Sequence, residues 1–300
     1  MPLAVTLLHA SSSEPTLHWH LHPDVLFMSA LLLGGYWYAV TQLRSEISDA
    51  MIVRRGQVTL FVTGVAVLFV ASTYPIHEIA EGYLASVHMF QHLLYTMVAP
   101  ILLILGTPAW LLRAPLRNPV VFRTAKVLVH PIVAFAVFNA VQLLTHLPST
   151  VDLALHHHWF HLTVHIALVV SALMMWWPVL SPLEELPPLS YPLQMGYLFV
   201  QSLLPAVLAA FITFSTGPFY DYYGAAPRLW GLTPVEDQQF AGFVMKILGS
   251  LIIWGFIVYA FYRWYQNEQR ESRDPRWEEV KEELARMGLP IDAGAPRGLR

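Results

Sequence analysis

Cysteine is absent from the 300-residue chain. That excludes disulfides, thiolate metal sites and cysteine nucleophiles. Charge is scarce. Asp, Glu, Lys and Arg make up 12% of the residues, against 56% hydrophobic, where soluble domains carry roughly 25% charged residues. The deficit points to lipid as the main solvent. Neither sign dominates, since the net charge is -3, so there is no basic field to attract nucleic acid. No internal repeat is visible, and the length suits one membrane domain. Catalytic signatures are missing: there is no HExxH, no phosphate loop, and no serine or threonine beside an obvious base. No enzymatic activity is expected. Met1 to Ala10 are apolar but lack a basic flank, and the stretch is short for a signal peptide. It is read as part of an arm, residues 1–23.

What is abundant is long apolar runs. A spanning helix needs roughly 20 mostly apolar residues. About seven stretches qualify, near 24–43, 57–75, 85–106, 127–146, 158–180, 192–214 and 239–263. Only helices satisfy their own backbone polar groups in lipid over such continuous runs. The expected fold is therefore an all-α, polytopic membrane bundle of about seven transmembrane helices, filling residues 24–265.

Orientation follows from Lys and Arg in the loops. The first loop carries Arg44, Arg54 and Arg55, and the third carries Arg113, Arg117, Arg123 and Lys126. The tail carries Arg263, Arg270, Arg273, Arg276 and Lys281. The arm and the second and fourth loops have none, and the sixth has only Arg228. This puts the N-terminus outside and the C-terminus in the cytoplasm, in agreement with an odd number of spans. The tail, 266–300, is polar. Asp274 followed by Pro275 resembles an N-cap with proline at the first helical position. Trp277, Val280, Leu284 and Met287 then recur at helical spacing until Gly288 and Pro290. A short amphipathic helix is expected there, on the membrane surface or against a partner.

The fourteen histidines are unevenly placed. On this topology all but His130 fall outside or in the outer half of a helix. His88 and His92 are four apart on the third helix, so both project from one face. His158, His161 and His165 form a stripe on the fifth, and His146 closes the fourth at the same level. His77 lies in the neighbouring outer loop. Polar residues in hydrocarbon are costly and face the protein interior or a cavity. A lone helical histidine is most often a hydrogen-bonded packing residue. Two facing stripes plus His146 favour metal or haem. His18, His20, His22, His156 and His157 are at best an approach to that site.

Imidazole suits zinc, copper, iron and nickel, and thioether adds a preference for Cu(I). Met89 and Met97 on the third helix, with Met28 on the first, tilt slightly toward copper. Nearby carboxylates are few: Glu78, Glu81, Asp152 and Asp237. Each can orient a ligating imidazole or sit in a solvated loop, and loop position favours the second for Glu78 and Glu81. Lys246 lies about two turns into the seventh helix beyond Asp237. An intramembrane lysine is paired or functional by default. It would repel a metal cation, so it is expected to face a carboxylate, a carbonyl or a partner protein, or to snorkel to the surface.

Four segments in order carry a family resemblance. The first is His88-Met89-Phe90-Gln91-His92, with Ala99-Pro100 and Leu105-Gly106-Thr107-Pro108. The second is HLPSTVDLALHHHWFHLTVH, from His146 to His165. The third is Trp176-Trp177-Pro178-Val179-Leu180 with Pro182. The fourth is Asp237-Gln238-Gln239 with Ala241-Gly242, and Lys246 beyond. Over residues 18–265 the chain resembles the CtaG-type cytochrome c oxidase assembly proteins of bacteria. It departs from them at Val151, where the family commonly has tyrosine before Asp152. The resemblance implies a bacterial cytoplasmic-membrane protein that matures haem-copper oxidase. It implies delivery of copper to the copper-containing catalytic subunit, with oxidase subunits and the lipid bilayer as partners. It maps the site onto His88, His92, His146, His161 and His165, with Met89, His77, His158, Asp152, Asp237 and Lys246 in possible support. Two other readings of the residues stay open. One is a bis-histidine haem b protein for electron transfer, its ligands drawn from the third and fifth helices. The other is a metal-free assembly scaffold. The oligomeric state is not readable.

Overall fold

The computed structural model describes residues 21–43, 53–271 and 275–288. The arm up to residue 20, Asp274 and Pro290 lie outside the described residues. Every regular element among the described residues is a helix. α1 (Pro23–Tyr38) runs on through a π turn, Ala39–Leu43. α2 spans Arg55–Ala71 and the short α3 spans Ile76–Gly82. α4 covers Ala85–Gly106, with a π turn at Leu94–Val98. α5 (Ala109–Leu116) and α6 (Pro119–Leu128) lead to α7 (Pro131–Thr145) and α8 (Pro148–His156). α9 is His158–Leu180, α10 is Tyr191–Phe214 and α11 is Asp221–Ala225. α12 comprises Pro234–Phe243, a π turn at Val244–Leu248, and Gly249–Glu271. α13 (Pro275–Arg286) is the last described helix, with proline at its start.

Six helical stretches are long and apolar enough to cross a membrane: α1 with its π turn, α2 with α3, α4, α9, α10 and α12. The seventh is α6 with α7, bent by 68°. The expected helix over 127–146 is thus shorter and broken. Its cause is local. Pro131 has no N–H, and His130 before it takes an extended conformation (φ -60°, ψ 130°), as the residue before proline prefers. The 15 residues of α7 rise about 22 Å, short of a hydrocarbon core of roughly 30 Å.

Side-chain contacts fix the up-and-down order. The first residues of α1, α4, α9 and α12 meet the last residues of α2, α7 and α10 at one end, the end that holds the histidines. Gln91 on α4 reaches the Ala71 carbonyl that ends α2. Asp237 on α12 reaches the first N–H groups of α4, and Gln238 reaches Ile212 near the end of α10. At the opposite end the Tyr36 hydroxyl of α1 donates to Gly106 O, which ends α4. The order is that of seven alternating passes. His22 stands at the histidine end and His130 at the other.

Three local devices hold the elements that carry the site. Leu84 supplies no side-chain cap to α4. Asp237 caps it instead, accepting from Ala85 N at 2.7 Å, Ser86 N at 3.1 Å and Ser86 Oγ at 2.5 Å. A carboxylate at a helix N-terminus also complements the helix dipole. α12 in turn starts with a capping box, Thr233 and Glu236, and Pro234 in its first turn. Third, Pro100 cannot donate to the carbonyl of Thr96 four residues earlier. The indole N–H of Trp176 on α9 takes that place at 2.9 Å, tying the π turn of α4 to α9. Close helix contacts depend on two glycines. A Cβ at Gly106 would collide with the Phe61 backbone of α2, and one at Gly242 would lie 2.8 Å from Ala209 O of α10. The apolar core packs Trp176, Phe138, Met175 and Leu198 together beyond the histidines.

Candidate functional site

Six imidazoles meet inside the histidine end. His88 and His92 come from α4, His146 from the C-cap of α7, His161 and His165 from α9, and His77 from α3. All six are buried, His146 to 1% exposure and His165 to 9%. Neighbouring ring centroids are 4.3 Å apart for His88–His92, 4.1 Å for His161–His165, 5.2 Å for His92–His146 and 5.6 Å for His92–His165. His88 stacks on His161 at 5.7 Å, and His161 on His77 at 5.9 Å. Among the described residues no three His, Cys, Asp or Glu side chains converge on a single metal position. The arrangement is a string of imidazole pairs.

Hydrogen bonds assign the tautomers, and the assignments share one direction. His146 Nδ1 lies 2.7 Å from Gln142 O. A carbonyl only accepts, so the proton sits on Nδ1 and Nε2 keeps its lone pair. The Tyr223 hydroxyl donates to Ala80 O at 2.6 Å and lies 2.9 Å from His88 Nδ1. With its one proton given to the carbonyl, it accepts from His88, whose lone pair is again on Nε2. Burial first, and the Glu81 charge second, push the Tyr223 phenol well above its ordinary range, so it stays protonated. Glu81 Oε1 lies against His161 Nδ1, which draws the ring proton to that nitrogen. The same oxygen is 3.1 Å from His77 Nε2. It meets the hydrogen-bond geometry of neither ring N–H, so it acts on both rings through its own charge rather than through an aligned hydrogen bond. Gln91 Nε2, which already donates to Ala71 O, is 3.1 Å from His77 Nδ1.

Among the described residues, five buried imidazole nitrogens are left with no partner: both of His92, and Nε2 of His146, His161 and His165. An unpaired buried polar atom costs about 1–3 kcal/mol. A cluster of them in one place is the pattern of a site built for a ligand that bonds to lone pairs. Neutral imidazole is a good ligand for a soft or borderline cation.

The remaining expected residues fall around this cluster. Met89 is buried beside Tyr220, Tyr223 and Ile212, and its side chain lines a small cavity with His92 and His146. Lys246, on the π turn of α12, lines that same cavity. Among the described residues no carboxylate or carbonyl pairs with it. Asp237 is buried but caps α4 and touches no imidazole. Asp152 accepts from Tyr222 N at 3.3 Å, and its own carbonyl lies 2.6 Å from His156 Nδ1, away from the six rings. His158 stands at the rim of the pocket that His161 and His165 also line and faces Asp24 at 3.4 Å, half exposed. Val151 packs in the apolar group with Met89, Tyr220 and Tyr223.

Three functional candidates have no counterpart among the expected ligands. Glu81 is not in a solvated loop: α3 turns it into the cluster. Tyr223 fixes His88 from α11. His22 pairs with Glu78 at 3.2 Å and meets the His77 ring edge-on at 4.7 Å, so it adjoins the cluster directly.

Comparison with known proteins decides the family. Residues 34–267 match the model of the cytochrome c oxidase caa3 assembly factor family. The chain belongs to that family. Uncharacterised proteins of Mycobacterium bovis and Mycobacterium tuberculosis are 26% identical to it over 246 residues, covering 74% of this chain and 36% of theirs. One from Mycobacterium leprae is 22% identical over 259 residues, covering 81% and 39%. The family member thus spans little more than a third of the length of these curated relatives. No solved structure matches it. All four motif segments fall inside the matched residues, and each has a place in the geometry above. The first and second supply the rings, the third supplies Trp176, and the fourth supplies Asp237 and Gly242.

Proposed function

We propose that this protein is a non-enzymatic assembly factor of the bacterial cytoplasmic membrane. It holds copper in the imidazole cluster and hands it to the copper-containing catalytic subunit of cytochrome c oxidase. The observation that carries this reading is the group of five partnerless imidazole nitrogens, buried at one end of a bundle that belongs to an oxidase assembly family. Copper here is cargo. The job needs ligand exchange and no bond-making chemistry, so a string of weakly held pairs suits it better than a closed cage. The Lys and Arg distribution favours the non-cytoplasmic side for this end of the bundle. Three of the rings are oriented by a second group, Tyr223 for His88, Gln142 for His146 and Glu81 for His161. Such outer partners sharpen imidazole basicity and direction.

Purified protein tests the reading by metal analysis and an optical spectrum together. Copper binding at low stoichiometry, lost in the His92→Ala/His165→Ala double variant, is expected. Full copper loading of that variant sinks the site assignment. A Soret band with no copper supports haem b instead. The His92 and His165 rings meet edge-on at 5.6 Å, which leaves no porphyrin plane between them. Normal oxidase maturation in cells whose protein lacks the five helix histidines favours the metal-free scaffold.

A further inference from the structure

The cluster has two openings, and they differ in chemistry. On the side of α1, α2 and α9 lies a pocket of about 290 Å³. Its polar lining includes Asp24, Glu81 and the five histidines His22, His77, His158, His161 and His165. Glu78 stands behind it, paired with His22. Asp24 and Glu81 put two carboxylates at this mouth, and Met28 is its one thioether among mostly apolar side chains. On the side of α10 and α12 lies a smaller chamber of about 40 Å³. Met89, His92, Met97, His146, Met245 and Lys246 are among its lining residues, and no carboxylate is.

The imidazoles connect the two. From the carboxylate mouth the ring centroids step 4.7 Å from His22 to His77, 5.9 Å to His161, 4.1 Å to His165, 5.6 Å to His92 and 5.2 Å to His146. A side branch runs His161–His88–His92 at 5.7 and 4.3 Å. Unpartnered ring nitrogens run from His161 and His165 through His92 to His146, while His22 and His77 turn ring nitrogens toward Glu78, Glu81 and Gln91 at the rim. His165 touches only the mouth and His146 only the chamber, so the string crosses the bundle rather than lining one cleft.

We propose that the cluster is a one-way relay for Cu(I), loaded through the carboxylate mouth between α1 and α9 and released through the thioether chamber beside Lys246. This rests on the copper reading above. Carboxylates concentrate a cation at the entry. Imidazole pairs pass it on, each hop forming one Cu–N bond as another breaks, with no change of oxidation state. The chamber offers thioethers, which prefer Cu(I). Lys246 beside them disfavours a resident cation, so the ion is held loosely where it must leave. Lys246 also offers a charge to an acidic group of the recipient subunit.

Two steric plugs separate the openings without touching an imidazole. Ser29 lines only the mouth and Ser250 only the chamber. The full-length protein in detergent is loaded from Cu(I)–bicinchoninate and then challenged with excess bathocuproine disulfonate, both steps followed by absorbance. Ser29→Trp is expected to slow loading at least tenfold and leave release unchanged. Ser250→Trp is expected to slow release at least tenfold and leave loading unchanged. Equal effects of both plugs on both steps, or no effect of Ser250→Trp on release, overturn the relay while leaving copper binding intact. Wild-type protein that takes up no copper overturns the copper reading and the relay together. Should a plug variant fail to reach wild-type stoichiometry, Met89→Leu/Met245→Leu carries the same test with little change of volume. Slower release and loss of Cu–S scattering in X-ray absorption are expected, and unchanged release overturns the proposal.

Discussion

Tyr223→Phe removes one oxygen atom and tests the tautomer argument directly. In the native protein that hydroxyl donates to Ala80 O at 2.6 Å and accepts from His88 Nδ1 at 2.9 Å. Both partners are buried, His88 to 3% exposure. Without the hydroxyl, a carbonyl and an N–H are left unpaired, at about 1–3 kcal/mol each before relaxation. Partial repacking should bring the loss of folding stability to about 2–4 kcal/mol, of the same order as those unpaired groups. The second effect is on the ligand. His88 no longer has a reason to keep its proton on Nδ1, so its Nε2 lone pair is present for only part of the time. Loss of such an outer partner costs about 10–100-fold in metal affinity. Copper competition titration and thermal unfolding in detergent read the two effects separately. The phenol is pushed above its ordinary range, so the neutral, donating form persists below pH of about 10. The wild-type affinity difference over the variant should therefore stay flat as pH rises from neutral toward that value. A variant with unchanged melting temperature and copper affinity within about twofold of wild type, well under the 10-fold floor, would refute the reasoning.

Three further substitutions probe the scaffold under the site. Asp237→Ala strips α4 of its cap and leaves three donors unanswered. A loss of about 3 kcal/mol, in line with hydrogen bonds to a charged group, is expected in denaturant unfolding, with faster hydrogen exchange at Ala85 and Ser86. Gly242→Ala forces a methyl to within 2.8 Å of Ala209 O. Overpacking of about 1–3 kcal/mol should lower the melting temperature without altering copper stoichiometry. Trp176→Phe removes the indole donor from the Thr96 carbonyl, to which Pro100 has no N–H to give. A destabilisation of about 1–3 kcal/mol is expected, and a variant as stable as wild type would mean that Thr96 finds another donor.

Much of the fold was legible because apolar length is a strong signal and lipid permits few solutions. The runs near 85–106, 158–180 and 192–214 match α4, α9 and α10 to within a residue or so. The run at 127–146 misled because hydropathy sums side chains and does not see a missing N–H. His130 and Pro131 sit inside an apolar stretch that nonetheless breaks at their backbone. Asp237 was legible as unusual but not as a cap. It serves a helix that starts 152 residues earlier, and no local pattern joins the two.

The site divides in the same way between periodicity and tertiary contact. Spacing of three and four brought His88 with His92 and His161 with His165, because those pairs share a helix. Spacing also put His158 on the stripe, and angle alone does place it there. Depth removes it. Seven residues at 1.5 Å each carry it about 10 Å along the axis from His165, out to the rim where Asp24 meets it. Tyr223 was invisible, since nothing near it in sequence marks a phenol as the partner of an imidazole on another helix. Glu81 failed for a more instructive reason. A carboxylate between two spans is ordinarily a sign of water, and the reading of loops depends on that rule. Here α3 folds the loop inward, and the imidazoles of His77 and His161 replace water around the charge. On the copper reading proposed above, negative charge belongs inside the cluster, so the rule fails at a residue which that reading uses.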